Sequence, residues 1–443
     1  MKRKKITAIL MASLMVLGCF TGCGKTEGQK TDTSGTEKEV ETVTDAEEEK
    51  TTPESGGDVI LNMYLWDQSM LDGVERREAM VTQQFPNITF NNTVLSWNDY
   101  WTKLQTALPS DSSPDLFFSE ANHTIAYGSK GFLELLDSYI ERDSYDMGVF
   151  VDPAIDLFTS LDGEIYGLPQ NIDHTALYYN KELFDAANVE YPKDDMTFEE
   201  FRELAKKLTV IEGDRVQQYG VIVGPQPQNA VYSLLLENGC YPYGEDRVSS
   251  NFSDPAMKET LELIRDMIFE DQSAPSVQDL VDESADQMFI NGRSAMYVAA
   301  PASMDYFVEA MGTNFDVVSM PANKKAGVSI MGMGLCMSAK TKYKEECWEV
   351  MKIFGSKQAQ EIEGEQLCPA RQDAQEAFFE IFKDYNMEPF RRSADIGEVI
   401  IPKRNMGVAD QAFQDMLGLI YAGEDLDEAL AEADGKVAEA LKE

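Results

Sequence analysis

At 443 residues the chain is too long for one ordinary hydrophobic core, so two domains are expected. An apolar content of 43% is that of a globular protein. The net charge of −40, from 78 acidic and 38 basic side chains, repels nucleic-acid phosphates and anionic headgroups and disfavours a nucleic-acid-binding role.

Lys2, Arg3, Lys4 and Lys5 precede an apolar run from Ile6 to Leu17. That run is too short to span a bilayer comfortably and suits a signal-peptide core. Two small-residue-then-Cys sites follow, ending at Cys19 and Cys23. Both resemble a bacterial lipobox, whose Cys becomes the acylated N-terminus; a plain secretory signal is the alternative. Cys23 is preferred because the polar tail begins directly after it. Residues 1–22 are therefore read as a lipoprotein signal peptide and 23–57 as a disordered acidic tether, since Val40, Val43 and Ala46 give it too little apolar surface to order. The expected location is the outer face of the cytoplasmic membrane, held by lipid.

Val59 to Trp66 reads as a strand. A helix carrying Met70, Val74, Val81 and Phe85 on one face follows, then a strand from Ile88 to Leu95. Asn98 to Leu108 is helical, and Asp115 to Phe118 is a third strand. This β-α-β-α-β run predicts a mainly parallel, doubly wound sheet. Ligands in such sheets sit beyond the carboxyl ends of the strands, which gathers Trp66-Asp67, Trp97 and Glu120-Asn122-His123 around one mouth.

Asp162-Gly163 predicts a tight turn in a small hairpin, Pro169 ends ladder pairing, and Thr175 to Tyr179 is a strand closed by Asn180. The polar elbow Gln170, Asn171, Asp173, His174 suits a passage between domains. Beyond it, Thr197 and Glu200 form a capping box for a helix to Leu208, and Tyr219 to Val223 is a strand. Gln226 to Asn229 opens a helix with Tyr232 and Leu235. Helices are expected over Asp254 to Phe269 and Asp282 to Ile290, with strands over Ser294 to Ala299 and Phe315 to Met320. The Gly- and Met-rich run Gly327 to Ser338 reads as a second crossing and Cys368 to Arg371 as a third. The remainder reads as helical, its last helix capped by Asp425 and Glu428. Cys240, Cys336, Cys347 and Cys368 lack metal-ligand spacing and are read as buried thiols, with one disulfide left open.

DGEIYGLP, LYYNKELF, NGRSAMYVAA and the earlier pieces WDQ, DYWTKL and PDLFF occur in one order from about Val59 onward. In that order they resemble the maltose-binding-protein-like solute-binding proteins of bacterial sugar ABC importers. The resemblance implies a periplasmic-binding-protein-like α/β fold of type II topology. It would have two doubly wound lobes, three hinge crossovers, and a cleft that closes on ligand. Residues 58–170 with 330–370 would form the N-lobe, and 171–329 with 371–443 the C-lobe. The implied partners are a carbohydrate, expected to be an oligosaccharide, and the permease subunits of an importer. A monomer without cofactor or metal is expected.

Sugars present C–H faces to aromatic rings and hydroxyl rims to planar polar groups. The candidate contacts are therefore Trp66, Asp67, Trp97, Tyr100, Glu120, Asn122 and Asp173, then Asn229, Tyr232, Tyr241, Met333 and Arg371. Gly332-Met333-Gly334 offers bare backbone at the cleft floor. Many relatives carry a Trp after the strand Ser294 to Ala299; this chain has Pro301-Ala302-Ser303, with Tyr306 or Phe307 as substitutes. His174 is read as a satisfied interior histidine. GxSxG, HExxH, Walker and GxGxxG motifs are absent, so no enzyme is expected. Three alternatives remain open: a polyamine, phosphodiester or other small polar ligand on the same fold, a surface glycoside hydrolase using two of the many carboxylates, or a lipoprotein that only adheres or signals with an empty cleft.

Overall fold

The computed structural model describes residues 57–194, 196–226 and 230–442. The leader with Cys19 and Cys23, nearly all of the tether, and Asn229 lie outside the described residues. In chain order the strands are β1 (Val59–Leu65), β2 (Ile88–Val94), β3 (Leu116–Glu120), β4 (Gly167–Pro169), β5 (Ala176–Asn180) and β6 (Val210–Glu212). They continue with β7 (Arg215–Ile222), β8 (Ser294–Ala299), β9 (Phe315–Val318), β10 (Val328–Ser329), β11 (Met333–Met337) and β12 (Gly397–Glu398).

Two five-stranded sheets, in the orders β2-β1-β3-β11-β4 and β6-β7-β8-β5-β9, form the centres of two lobes. β1 runs parallel to β2 and β3, as the β-α-β-α-β pattern requires. β11 enters the first sheet antiparallel to β3 and β4, and β5 enters the second antiparallel to β8 and β9. Both are strands next to a lobe crossing. They reach their sheet from the opposite end to a strand fed by a β-α-β crossover, so their direction is reversed.

Local signals explain most elements. Thr197 and Glu200 make the reciprocal capping box at the head of the helix Phe198–Leu208, which buries Phe198, Phe201, Ala205 and Leu208 on one stripe. Such a cap stabilises by about 1 kcal/mol. Asn180 closes β5 and accepts from the Leu183 N–H, starting the helix Lys181–Ala187. Three expectations are corrected. The hairpin around Gly163 is a tight turn with a single bridge, Thr159 to Ile165, because Pro169 and the crossing end the ladder early. The helix expected over Asp282 to Ile290 begins only at Ala285, because Ser284 caps it through the Gln287 N–H, and a separate helix, Val277–Asp282, precedes it. The remainder after Arg371 is not wholly helical, since β12 pairs with β10.

The three crossings lie side by side. The Ile172 N–H donates to the Cys368 carbonyl at 2.9 Å, and Asp173 and Met331 exchange two backbone bonds at 2.7 Å. Gly332 has no space for a side chain, since a Cβ there would stand 2.5 Å from the Asn171 carbonyl oxygen, and one on Gly334 would enter the Phe158 ring. These glycines therefore serve close packing at the hinge, a reason independent of any ligand.

Behind the hinge Arg77 is almost wholly buried. Its guanidinium meets Glu363 at 2.8 Å, the Gly73 carbonyl at 3.1 Å and Gln170 at 3.3 Å, between the rings of Phe118 and Phe354. One side chain on the helix Met70–Gln84 thus ties the root of the first crossing to the helix Lys357–Glu363 that leads into the third. Cys240, Cys336, Cys347 and Cys368 are all buried free thiols. Burial pushes Cys336 up to about 12.

Candidate functional site

The carboxyl ends of β1 and β3 carry an aromatic wall. Trp66 directly follows β1 and is half-buried. Trp97, Tyr100 and Trp101 fall on neighbouring positions of the helix Trp97–Ala107. The Trp66 ring lies edge-on to Trp97 at 5.5 Å and to Tyr100 at 5.3 Å, and stacks on Trp101 at 5.9 Å. Trp101 in turn stacks on His123 at 3.6 Å with the rings 9° apart. Trp97 is 44% exposed, so the wall presents a free ring face to solvent. Tyr100 does not share that role: it is fully buried and donates its hydroxyl to the Phe118 carbonyl, supporting the wall from beneath.

Polar groups adjoin the wall. Glu120 ends β3 and directly precedes the helix Ala121–Gly128 without a side-chain capping bond, and in register it faces Met333 of β11. Burial, reinforced by the charges of Asp410 and Asp173, raises its carboxyl to about 7. Burial likewise raises Asp173, at the first crossing, to about 7. The buried atoms Asn122 Oδ1, His123 Nδ1, Trp101 Nε1 and Asp173 Oδ1 have no hydrogen-bond partner among the described residues. Burial lowers His123 to about 4, so it is neutral at pH 7 and its ring can stack without a charge to solvate.

The second lobe meets this mouth through the helix Met406–Tyr421, which packs against Ala121–Gly128. It brings Asp410, which accepts from Gln414 at 2.7 Å and from the Tyr232 hydroxyl at 3.3 Å. Burial raises Asp410 as well. Tyr232 is fully buried, its hydroxyl 3.1 Å from that of Tyr243, so it reaches the mouth only through Asp410.

The remaining candidates are placed elsewhere. Asp67 is exposed and accepts from the Ser69 N–H at 2.8 Å, a turn contact before the first helix. Tyr241 donates to Glu398 at 2.6 Å and accepts from Lys325 at 2.8 Å, beside a separate interlobe cavity of about 570 Å³. Arg371 is held by Asp373 at 2.6 Å and the Gly355 carbonyl at 3.1 Å, opposite Phe150 in the first lobe. Met333 is buried, and its N–H donates to Asn171 Oδ1 at 2.7 Å. Phe307 is packed inside the second lobe against Tyr178, Phe289, Tyr297 and Phe315, so it cannot serve as a platform; Tyr306 is exposed and bonded to Gln287. His174 is interior but not satisfied: neither ring nitrogen has a partner among the described residues, and burial lowers it to about 3. Among the described residues no His, Cys, Asp and Glu side chains are grouped to hold a metal ion.

Sequence reasoning missed Asp410 as a mouth residue. It sits in an apolar helix, MGVADQAF, where a single acid reads as surface.

Two α/β lobes, three crossings bridged side by side and a mouth at the strand ends are the architecture of the bacterial extracellular solute-binding proteins, and the chain belongs to that family, whose model matches residues 79–388. A binding protein of Brucella abortus is 27% identical over 282 residues, 61% of this chain and 66% of that protein, so the match spans about two thirds of its length. The diacetylchitobiose-binding protein of Streptomyces coelicolor is 23% identical over 80% of this chain and 78% of its own. Among solved structures, the Listeria monocytogenes ABC substrate-binding protein in complex with cycloalternan superposes with a TM-score of 0.77 at 24% identity, covering 87% of this chain and 99% of that one.

Proposed function

We propose that the protein captures an oligosaccharide outside the cell and delivers it to the permease of an ABC importer. The observation that carries this is the aromatic wall of Trp66, Trp97 and Trp101 beside buried polar atoms without partners among the described residues. Ring faces of this kind stack on pyranose C–H surfaces, and the polar atoms bond hydroxyls at the rim. Relatives named for diacetylchitobiose and maltodextrin, and a structural neighbour holding cycloalternan, support the ligand class.

In this reading the residues that touch ligand are Trp66, Trp97, Glu120, Asn122 and Asp173, with Trp101 and His123 added. Asp67 and Tyr241 lie outside the ligand contacts, and Met333, Tyr100, Tyr232 and Arg371 shape the cleft from behind. The lobes divide as 58–170 with 330–370 and 171–329 with 371–443. The protein acts as a lipid-anchored monomer through acylated Cys23. It performs no chemistry: ligand binding favours the closed form, and that form engages the permease.

The test is calorimetric titration of the full chain with maltotriose, diacetylchitobiose, lactose and cycloalternan, with spermidine as a non-sugar control. Heat with at least one saccharide, at an affinity weakened about 30-fold by Trp97→Ala, is expected. Binding of spermidine alone would overturn the reading.

A further inference from the structure

Away from the aromatic wall, the two lobes are joined by charge. Asp156 lies on the helix Asp152–Leu157 of the first lobe, on the wall of the 570 Å³ cavity. Two cations of the second lobe converge on it: Arg247 Nη2 approaches at 2.6 Å and Lys403 Nζ at 3.0 Å. Among the described residues, every ion pair that links the two lobes involves Asp156.

The cations are built into place. Arg247 is a non-glycine residue with φ of 58°, a conformation such residues adopt uncommonly, and it is 7% exposed. Its carbonyl accepts from the Lys403 N–H at 2.9 Å, so the two cations move as one unit. Three residues after Lys403 begins the helix Met406–Tyr421, which carries Asp410 to the mouth. Whatever fixes Lys403 therefore also fixes the element that closes on the helix Ala121–Gly128.

A closing force is needed there. Glu120 of the first lobe, Asp173 at the first crossing and Asp410 of the second lobe are like-charged groups brought together in a partly buried place, which opposes closure. Glu245 and Asp246, on the rim of the same cavity, add negative charge near the cations without reaching across.

We propose that Asp156, Arg247 and Lys403 form an electrostatic latch that biases the lobes toward the closed form and so sets the apparent affinity for ligand. None of the three is part of the aromatic wall or its polar rim. The inference rests on the two-lobe binding reading but not on the identity of the ligand. A ligand that needs both lobes binds with an apparent affinity proportional to the population of the competent form. Weakening the latch therefore lowers affinity without removing a ligand contact.

The test is small-angle X-ray scattering on the ligand-free full chain, at 50 mM and 500 mM NaCl, for the native protein, Asp156→Asn and Lys403→Gln. Residues 1–56 are common to all samples, so differences report the lobes. The closed-to-open ratio is expected to fall about tenfold in either variant, giving a larger radius of gyration. Added salt should expand the native protein and leave Asp156→Asn unchanged. If Asp156→Asn melts early, Lys403→Gln, which keeps the buried Arg247 pair, carries the test. Identical scattering from native protein and folded variants at both salt concentrations would overturn the latch. Failure of every saccharide to bind would overturn the proposed function and leave this result standing.

Discussion

On the first lobe the large rings stand at the surface of the cleft; on the second they are inside. Trp66, Trp97 and Trp101 line the mouth with one another and with His123. Tyr232, Tyr243 and Phe413, at the corresponding place on the second lobe, form a buried cluster whose polar tips meet one another and Asp410. Pro301-Ala302-Ser303 leaves the second lobe without a tryptophan there. The difference assigns separate tasks. Under the proposed function the first lobe would hold a flat C–H surface, and the second would close over it with the Asp410 carboxylate.

That division can be broken by substitution. Trp66→Ala is expected to act most strongly, because the ring both lines the mouth and packs on Tyr100 and Phe118. Saccharide affinity should fall beyond detection, and stability by about 2 kcal/mol, as urea denaturation would read. Trp97→Ala should separate these effects. The ring is exposed, so affinity falls by about 2 kcal/mol in calorimetry while the melting temperature stays constant.

Next in size is a pH effect from the carboxylates. Glu120 and Asp173 both have folded-state values near 7, above their ordinary ones, so the native state binds more protons than the unfolded state between about pH 4 and pH 7. Stability is then fullest at the acid end of that window and is lost as pH rises through 7. The ligand-free melting temperature should fall by about 5 °C from pH 5 to pH 8, and Asp173→Asn should flatten the curve. A rising curve would show that burial does not raise these carboxyls.

Tyr232→Phe should cost about 1 kcal/mol of stability and change affinity little, since its hydroxyl serves Asp410 and Tyr243. The smallest effect is expected at Arg371→Gln. The pair with Asp373 is partly exposed and worth under about 1 kcal/mol, and saccharide affinity should not move.

Much of the scaffold was legible because it is written locally. The strand ends that bring Trp66 and Glu120 to the mouth follow from alternation and β-α-β order, and the Thr197 box marks its helix within four residues. Whether an aromatic faces ligand or core is not local. Tyr100 and Trp101 are adjacent in sequence, yet one donates inward to Phe118 and the other stacks on His123. Asp410 and the Arg247–Asp156 pair depend on how the lobes meet, with the latter pair 91 residues apart. β12 is two residues long, too short to carry a period.

Arg77 has a mechanical consequence. Its guanidinium clamps Gln170 and Glu363 to one helix, so the roots of two of the three crossings are bolted to a single post. Any swing must then be taken up past those bolts, by the few residues around Asp173, Met331 and Pro369. The first lobe acts as the door frame and the second as the leaf. A substitution that loosened the bolt would make the pivot wander, so that the leaf no longer arrived at the same angle each time it shut.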